Sequence, residues 1–110
     1  MVRMDSQIKV IQPSGIIDSL NGGQIRREAS DAIASGVKTI LIDCQNVTFM
    51  DSSGLGALVM ILKNVREIGG KLALCSIIDQ IRMLLELTSM DNILEVFPNQ
   101  ESFNQQVSDR

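Results

Sequence analysis

Apolar and polar positions alternate along this chain in a repeating order of short strands and longer helices. Ile8 to Ile11 form a short apolar alternation that stops at Pro13, which reads as an edge strand. Ser14-Gly15 reads as a turn, and Ile16-Ile17 as a second short strand. Asp18 to Asn21 are polar enough to open a helix, and Asn21 with Gln24 three positions on fits a capping box. Ile25, Ala29, Ala32 and Ile33 then recur at helical spacing, with Arg26, Arg27, Glu28 and Asp31 turned outward. Gly36 is a C-terminal stop. Thr39 to Ile42 form a continuous apolar run with β-branched residues, as in a strand covered on both faces. After a junction at Thr48–Gly56, Leu55, Leu58, Val59, Leu62, Val65 and Ile68 make a second helical stripe. Lys63, Arg66 and Glu67 decorate its outer side, and Gly69-Gly70 ends it. Leu72 to Cys75 read as a buried strand. Asp79 is placed to cap a third helix carrying Ile81, Leu84, Leu85 and Leu87. Ile93 to Phe97 form a last strand before Pro98, and Asn99 caps a short helix through Phe103 and Val107.

Strands alternating with helices imply an α/β fold with a mostly parallel sheet and right-handed crossovers. The expectation is a sheet of four to five strands with about four helices. A length of 110 residues suits one domain, with no linker or repeat between the elements. The domain is taken as residues 1–110, with its core over about 8–104 and a polar, frayed tail over 105–110.

Composition narrows the chemistry. The hydrophobic fraction is 45% and the charged fraction 21%, so the chain folds rather than staying disordered. Three Phe, no Tyr and no Trp require an aliphatic core and count against base stacking on single strands. The net charge is -3 and no basic cluster appears, which argues against direct nucleic-acid binding. The absence of histidine removes the commonest general base and metal ligand. Cys44 and Cys75 are far apart and form no CxxC pair, so they read as buried thiols in a reducing compartment. The six methionines read mainly as core filling. No signal segment or apolar run long enough for a membrane span is visible, so a soluble, cytoplasmic protein is expected, without cofactor or metal.

The candidate chemistry lies in Thr48-Phe49-Met50-Asp51-Ser52-Ser53-Gly54-Leu55-Gly56, where a strand hands over to a helix. A P-loop needs a lysine after its second glycine, and none follows Gly56. A dinucleotide fingerprint needs a third glycine, and Val59 occupies that place. A nucleophile elbow needs a glycine two positions before its serine, but Asp51 stands there, and no histidine exists to activate Ser53. A hydrolase built on Ser53 is therefore disfavoured, and no catalytic residue is assigned. The plainest structural role is that Asp51 or Ser52 caps the helix and the glycines let it approach the sheet. That leaves unexplained two adjacent serines and small residues continuing through Ala57, a surface that also suits docking of a partner.

The run Phe49 to Gly56 resembles the phosphorylation-site motif of STAS-domain anti-sigma factor antagonists. Gly15-Ile16-Ile17-Asp18, Ile40-Leu41-Ile42-Asp43 and Ile68-Gly69-Gly70 with Leu72 to Cys75 resemble the family's helix entry, the strand before the site, and the next helix end and strand. The likeness covers residues 8 to about 104. One departure is the short segment before Gly15, where the family usually opens with two paired strands, so a short or missing first edge strand is expected. The resemblance implies a STAS fold and a switch. The unphosphorylated antagonist binds an anti-sigma factor and frees a sigma factor. That anti-sigma factor is often a GHKL-type serine kinase, which inactivates the antagonist by phosphorylation, and a PP2C-type phosphatase restores it. The acceptor carried over is Ser53. Asp18, Asp51, Ser52, Ser53, Gly54, Leu55 and Gly56 are the implied partner-binding residues, with Asp18 and Asp51 also open to helix capping. Arg26, Arg27, Lys63 and Arg66 read as solvated helix faces, and Asp43 closes its strand at the same end of the sheet. A monomer is expected. The alternative is a STAS scaffold or sensing module in a multi-protein signalling complex without direct sigma-factor control.

Overall fold

A computed structural model describes residues 8–108. Among the described residues, six strands and four helices follow in the order β1 (Ile8–Ile11), β2 (Ser14–Ile17), α1 (Ser19–Ala34), β3 (Thr39–Asp43), β4 (Asn46–Met50), α2 (Ser52–Glu67), β5 (Lys71–Cys75), α3 (Asp79–Leu87), β6 (Glu95–Phe97) and α4 (Gln100–Ser108). A 3-10 turn at Met90–Asn92 joins α3 to β6. The main sheet has the order β1-β3-β5-β6, and β2 and β4 form a separate two-stranded ladder. Every pairing is parallel.

The two ladders are one strand pair, bent. β1 beside β3 continues past Pro13 and Cys44-Gln45 as β2 beside β4. One extra residue enters the β3-to-β4 segment at the bend. Another enters at Thr48, because Gly15 pairs with Val47 while Ile16 pairs with Phe49. Gly15 takes φ +76 at this bulge, a left-handed conformation that glycine adopts without penalty. The expected Ser14-Gly15 turn is thus part of β2, and the short first strand is present as β1.

Burial explains the layers. Ile11, Ile40, Ile42, Leu72 and Leu74 face α1, α2 and α3 across the larger core. Leu41, Ala73 and Cys75 face the other way, onto Phe103 of α4. Phe97 meets Phe103 edge to face, with centroids 5.4 Å apart. The core is otherwise aliphatic, as the composition requires. The described methionines divide: Met50 and Met90 are buried, whereas Met60 and Met83 are exposed. Asn99 Oδ1 accepts from Ser102 N at 2.8 Å and caps α4 as expected. Two other caps differ from expectation. Asp18 rather than the Asn21 capping box caps α1, and the N-cap of α3 is Ile78, which makes no side-chain cap, Asp79 being the first helical residue.

Cys44 and Cys75 are free and buried, on opposite sides of the sheet. Burial, with Cys75 and the Asp43 carboxylate adding to it, pushes the Cys44 thiol up to about 12. Burial, followed by the Asp43 charge, pushes Cys75 up to about 11. Raised thiol values mean that the unfolded chain loses these protons first. Their contribution to stability is complete below the ordinary thiol value of about 8.5 and declines as pH rises beyond it. The urea midpoint should therefore fall between about pH 8 and pH 10.5. Much of that fall should disappear in the double variant Cys44→Ala/Cys75→Ala, and an unchanged fall would assign it to other groups.

Candidate functional site

The bent strand pair delivers two helices side by side. Ile17 and Met50 are register partners, so the next residues, Asp18 and Asp51, emerge as neighbours. Each is the N-cap of the helix that follows. Asp18 Oδ1 accepts from Leu20 N at 3.1 Å and Asn21 N at 3.0 Å. Asp51 Oδ1 accepts from Gly54 N at 2.9 Å. Asp51 N also donates to Ile17 O at 3.2 Å, extending the ladder by one rung. The Asn21 amide turns back to donate to the Ile16 carbonyl. Of the capping choices left open by the sequence, the carboxylates take both.

Small residues let these helices close up. A Cβ on Gly54 would stand 2.2 Å from Ile17 O, so α2 sits directly on the end of β2. A Cβ on Gly22 would stand 2.9 Å from Ala57 Cβ, so α1 and α2 cross closely near their N-terminal ends. Gly56 differs: nothing lies within 4 Å of its Cβ position, and the residue is exposed. Leu55 is buried in the larger core. Ser52 and Ser53 are exposed in the first turn of α2. Asp18, Asp51, Ser52, Ser53 and Gly56 thus share one end of the fold. Gly54 and Leu55 support that end from within.

Three features here escape the sequence pattern. Ile16 and Phe49 are register partners yet remain 49% and 45% exposed, and Leu20 at the start of α1 is 72% exposed. They place apolar surface beside the two caps. Gln80 of α3 donates through Nε2 to Met50 O at 2.8 Å and accepts from Met50 N at 2.9 Å through Oε1. This amide satisfies the outer edge of β4 immediately before the Asp51 cap. A weak signal for the first feature was available: two consecutive apolar residues in a strand cannot both face one core. No local signal marked Gln80.

Asp43 also lies at this end of the sheet but points elsewhere. It is 2% exposed, accepting from Gln12 Nε2 at 3.0 Å and from Gln45 N at 3.1 Å. It secures the bend between the two ladders. Arg26, Arg27, Lys63 and Arg66 are exposed on helix faces. Among the described residues no group of three His, Cys, Asp or Glu side chains could hold a metal ion, and no helix is long and apolar enough to cross a membrane.

The chain belongs to the STAS domain family, whose pattern matches residues 1–103. It is 27% identical over 94 residues to the anti-sigma F factor antagonist of Paenibacillus polymyxa, covering 84% of this chain and 80% of that protein. The unphosphorylated anti-sigma factor antagonist SpoIIAA is 25% identical, with a TM-score of 0.76 over 98% of this chain and 94% of SpoIIAA. The Thermotoga maritima protein TM1081 shares the fold at 24% identity, with a TM-score of 0.85 over 93% of this chain and 88% of that one.

The contrast between the two glycines yields a test. Gly54→Ala should lower stability by about 2 kcal/mol or more, since helix or strand must move. Gly56→Ala should raise stability by about 0.8 kcal/mol through helix propensity alone. Urea midpoints of the two variants measure both effects, and equal responses would contradict the packing described.

Proposed function

We propose that this protein is an anti-sigma factor antagonist that works in the cytoplasm and is switched off by phosphorylation of Ser53. In the unphosphorylated state it binds a GHKL-type serine kinase acting as an anti-sigma factor and thereby releases a sigma factor. A PP2C-type phosphatase reverses the modification. The protein is a substrate and binding partner, not an enzyme. The observation that carries this reading is the position of Ser53. It is exposed on the first turn of α2, beside two capped helix ends and the apolar surface of Ile16, Leu20 and Phe49. That combination offers a partner apolar area, two carboxylates and backbone of close approach at Gly56.

The physics of the modification fits such a switch. The fold around Ser53 is complete without it, because Asp51 already caps α2. A helix N-terminus also tolerates added negative charge. A phosphate adds about -1.5 to -2 charges at an interface. Facing one partner carboxylate at roughly 6 Å, it costs on the order of 1 to 5 kcal/mol for effective dielectrics of about 80 to 20. This corresponds to about tenfold to several-thousandfold weaker binding.

Incubation with the cognate kinase and ATP should add one phosphate, absent from Ser53→Ala; a phosphate mapped only to Ser52 would defeat the assignment. Ser53→Asp should weaken capture of the kinase about tenfold or more, with the melting temperature kept within about 3 °C. Pull-down from native lysate with wild type and Ser53→Asp, read by mass spectrometry, identifies the partner. Retention by both of a sensory complex lacking a kinase would favour a scaffold instead.

A further inference from the structure

The strand that leads into Ser53 is held from both sides at its end. Neighbouring residues of a parallel strand send their N–H and C=O groups to opposite edges. Asp51 N turns toward β2 and donates to Ile17 O at 3.2 Å. Met50 turns the other way, to an edge where β4 has no strand beside it, since β2 is its one strand partner among the described residues. Met50 is buried, so its N–H and C=O need partners there. Gln80 supplies both: Oε1 accepts from Met50 N at 2.9 Å, and Nε2 donates to Met50 O at 2.8 Å. A side-chain amide suits this place because it presents one acceptor and one donor together, as a facing peptide group would. One residue of α3 thus stands in for a third strand.

The clamp is firm at its α3 end. Ile81, next in sequence, is 0% exposed and Leu85 is 1% exposed, while Leu84 packs against the same core. At the other end the clamp acts on Met50, directly before the Asp51 cap. Ser53 is exposed, so its place is set by the backbone beneath it rather than by packing of its own side chain. Contact of Gly54 with Ile17 sets how near α2 lies to β2. Gln80 sets the opposite edge.

We infer that Gln80 is a positioning residue for Ser53. Its amide holds Met50, and through Met50 the Asp51 cap and the first turn of α2, in the arrangement that a kinase must recognise. The inference rests on Ser53 as the phosphate acceptor. Without the clamp the junction samples several arrangements, and the kinase binds only the competent fraction. Apparent affinity falls by that fraction, while the step inside the bound complex is unchanged. The signature is a raised KM with kcat kept.

Three variants test this. Gln80→Met keeps side-chain length and helix propensity but removes both hydrogen bonds. Gln80→Glu keeps the acceptor and loses the donor. Phe103→Leu is the control, since it loosens the core on the opposite face of the sheet. Circular dichroism checks that all three remain folded. Amide hydrogen exchange is read first, without a kinase. In Gln80→Met the amides of Met50, Gly54 and Leu55 should exchange about tenfold faster or more, with those of Leu58 to Val65 unchanged. Phe103→Leu should show no such local difference. The serine kinase captured by wild type is then supplied with ATP. KM for Ser53 phosphorylation should rise about tenfold in Gln80→Met and should also rise in Gln80→Glu, with kcat within about twofold of wild type. Exchange that quickens evenly along α2, a loosened junction with unchanged KM, or an equal rise in KM for Phe103→Leu would each overturn the inference. Wild type left unphosphorylated would defeat the Ser53 reading itself, and that result is seen before any variant is compared.

Discussion

The carbonyl of Ile17 leaves no room for a side chain at residue 54, and much of the molecule follows from that contact. The same oxygen accepts the Asp51 N–H. One backbone group thereby ends β2, sets the start of α2 and fixes how close the helix comes to the strand. With Asp18 following Ile17 directly, α1 must begin beside α2, and Gly22 against Ala57 completes the close crossing. The paired caps are a consequence of register, not of a separate design. Adjacent parallel strands that end in step necessarily present their next residues together.

Most of the helical frame was legible because helical periodicity survives solvent exposure. Leu55, Leu58, Leu62 and Val65 of the α2 stripe, the Gly36 and Gly69 ends and the Asn99 cap were written locally, and the structure retains them, whereas Val59 and Ile68 of the expected stripe are exposed. The alternation of strands and helices likewise gave the parallel sheet. The strand β4 was hidden for a specific reason. The bulge at Thr48 places its buried residues, Val47 and Met50, three positions apart, so the period-two signal is lost. Gly15 misled in the same way: a positive φ reads as a turn, but here it serves the bulge. The helix cap was misread because Asp18 and Asn21 are both good capping residues. The end of β2 at Ile17 decides between them, and that end is a tertiary fact.

The candidate site was legible as a stretch but not as a surface. Asp51, Ser52, Ser53 and the glycines were visible in one run, yet their different roles depend on contacts across the fold. Gly54 faces the Ile17 backbone, whereas Gly56 faces open space. Two residues of the same type, two positions apart, therefore serve packing and exposure respectively. The exposure of Ile16 and Phe49 was not visible, because a strand pair with one open face cannot be told from a covered one by composition. Gln80 is invisible to any local rule, since its partner is the backbone of Met50, 30 residues earlier.

The Asp51 cap bears on why a modification at this end can act on binding without acting on the fold. Were the first turn of α2 uncapped, a phosphate on Ser53 would take the vacant N–H groups and become part of the helix's own hydrogen bonding. Stability and binding would then change together. Here a carboxylate already holds Gly54 N, and Asp18 does the same for α1. Negative charge at both helix ends is thus built in, and a further anion next to Asp51 gains less from the dipole and is repelled by its neighbours. On the proposed reading, that separation is what a switch requires: the hydroxyl sits on a scaffold whose own needs are met, so added charge is expressed at the interface.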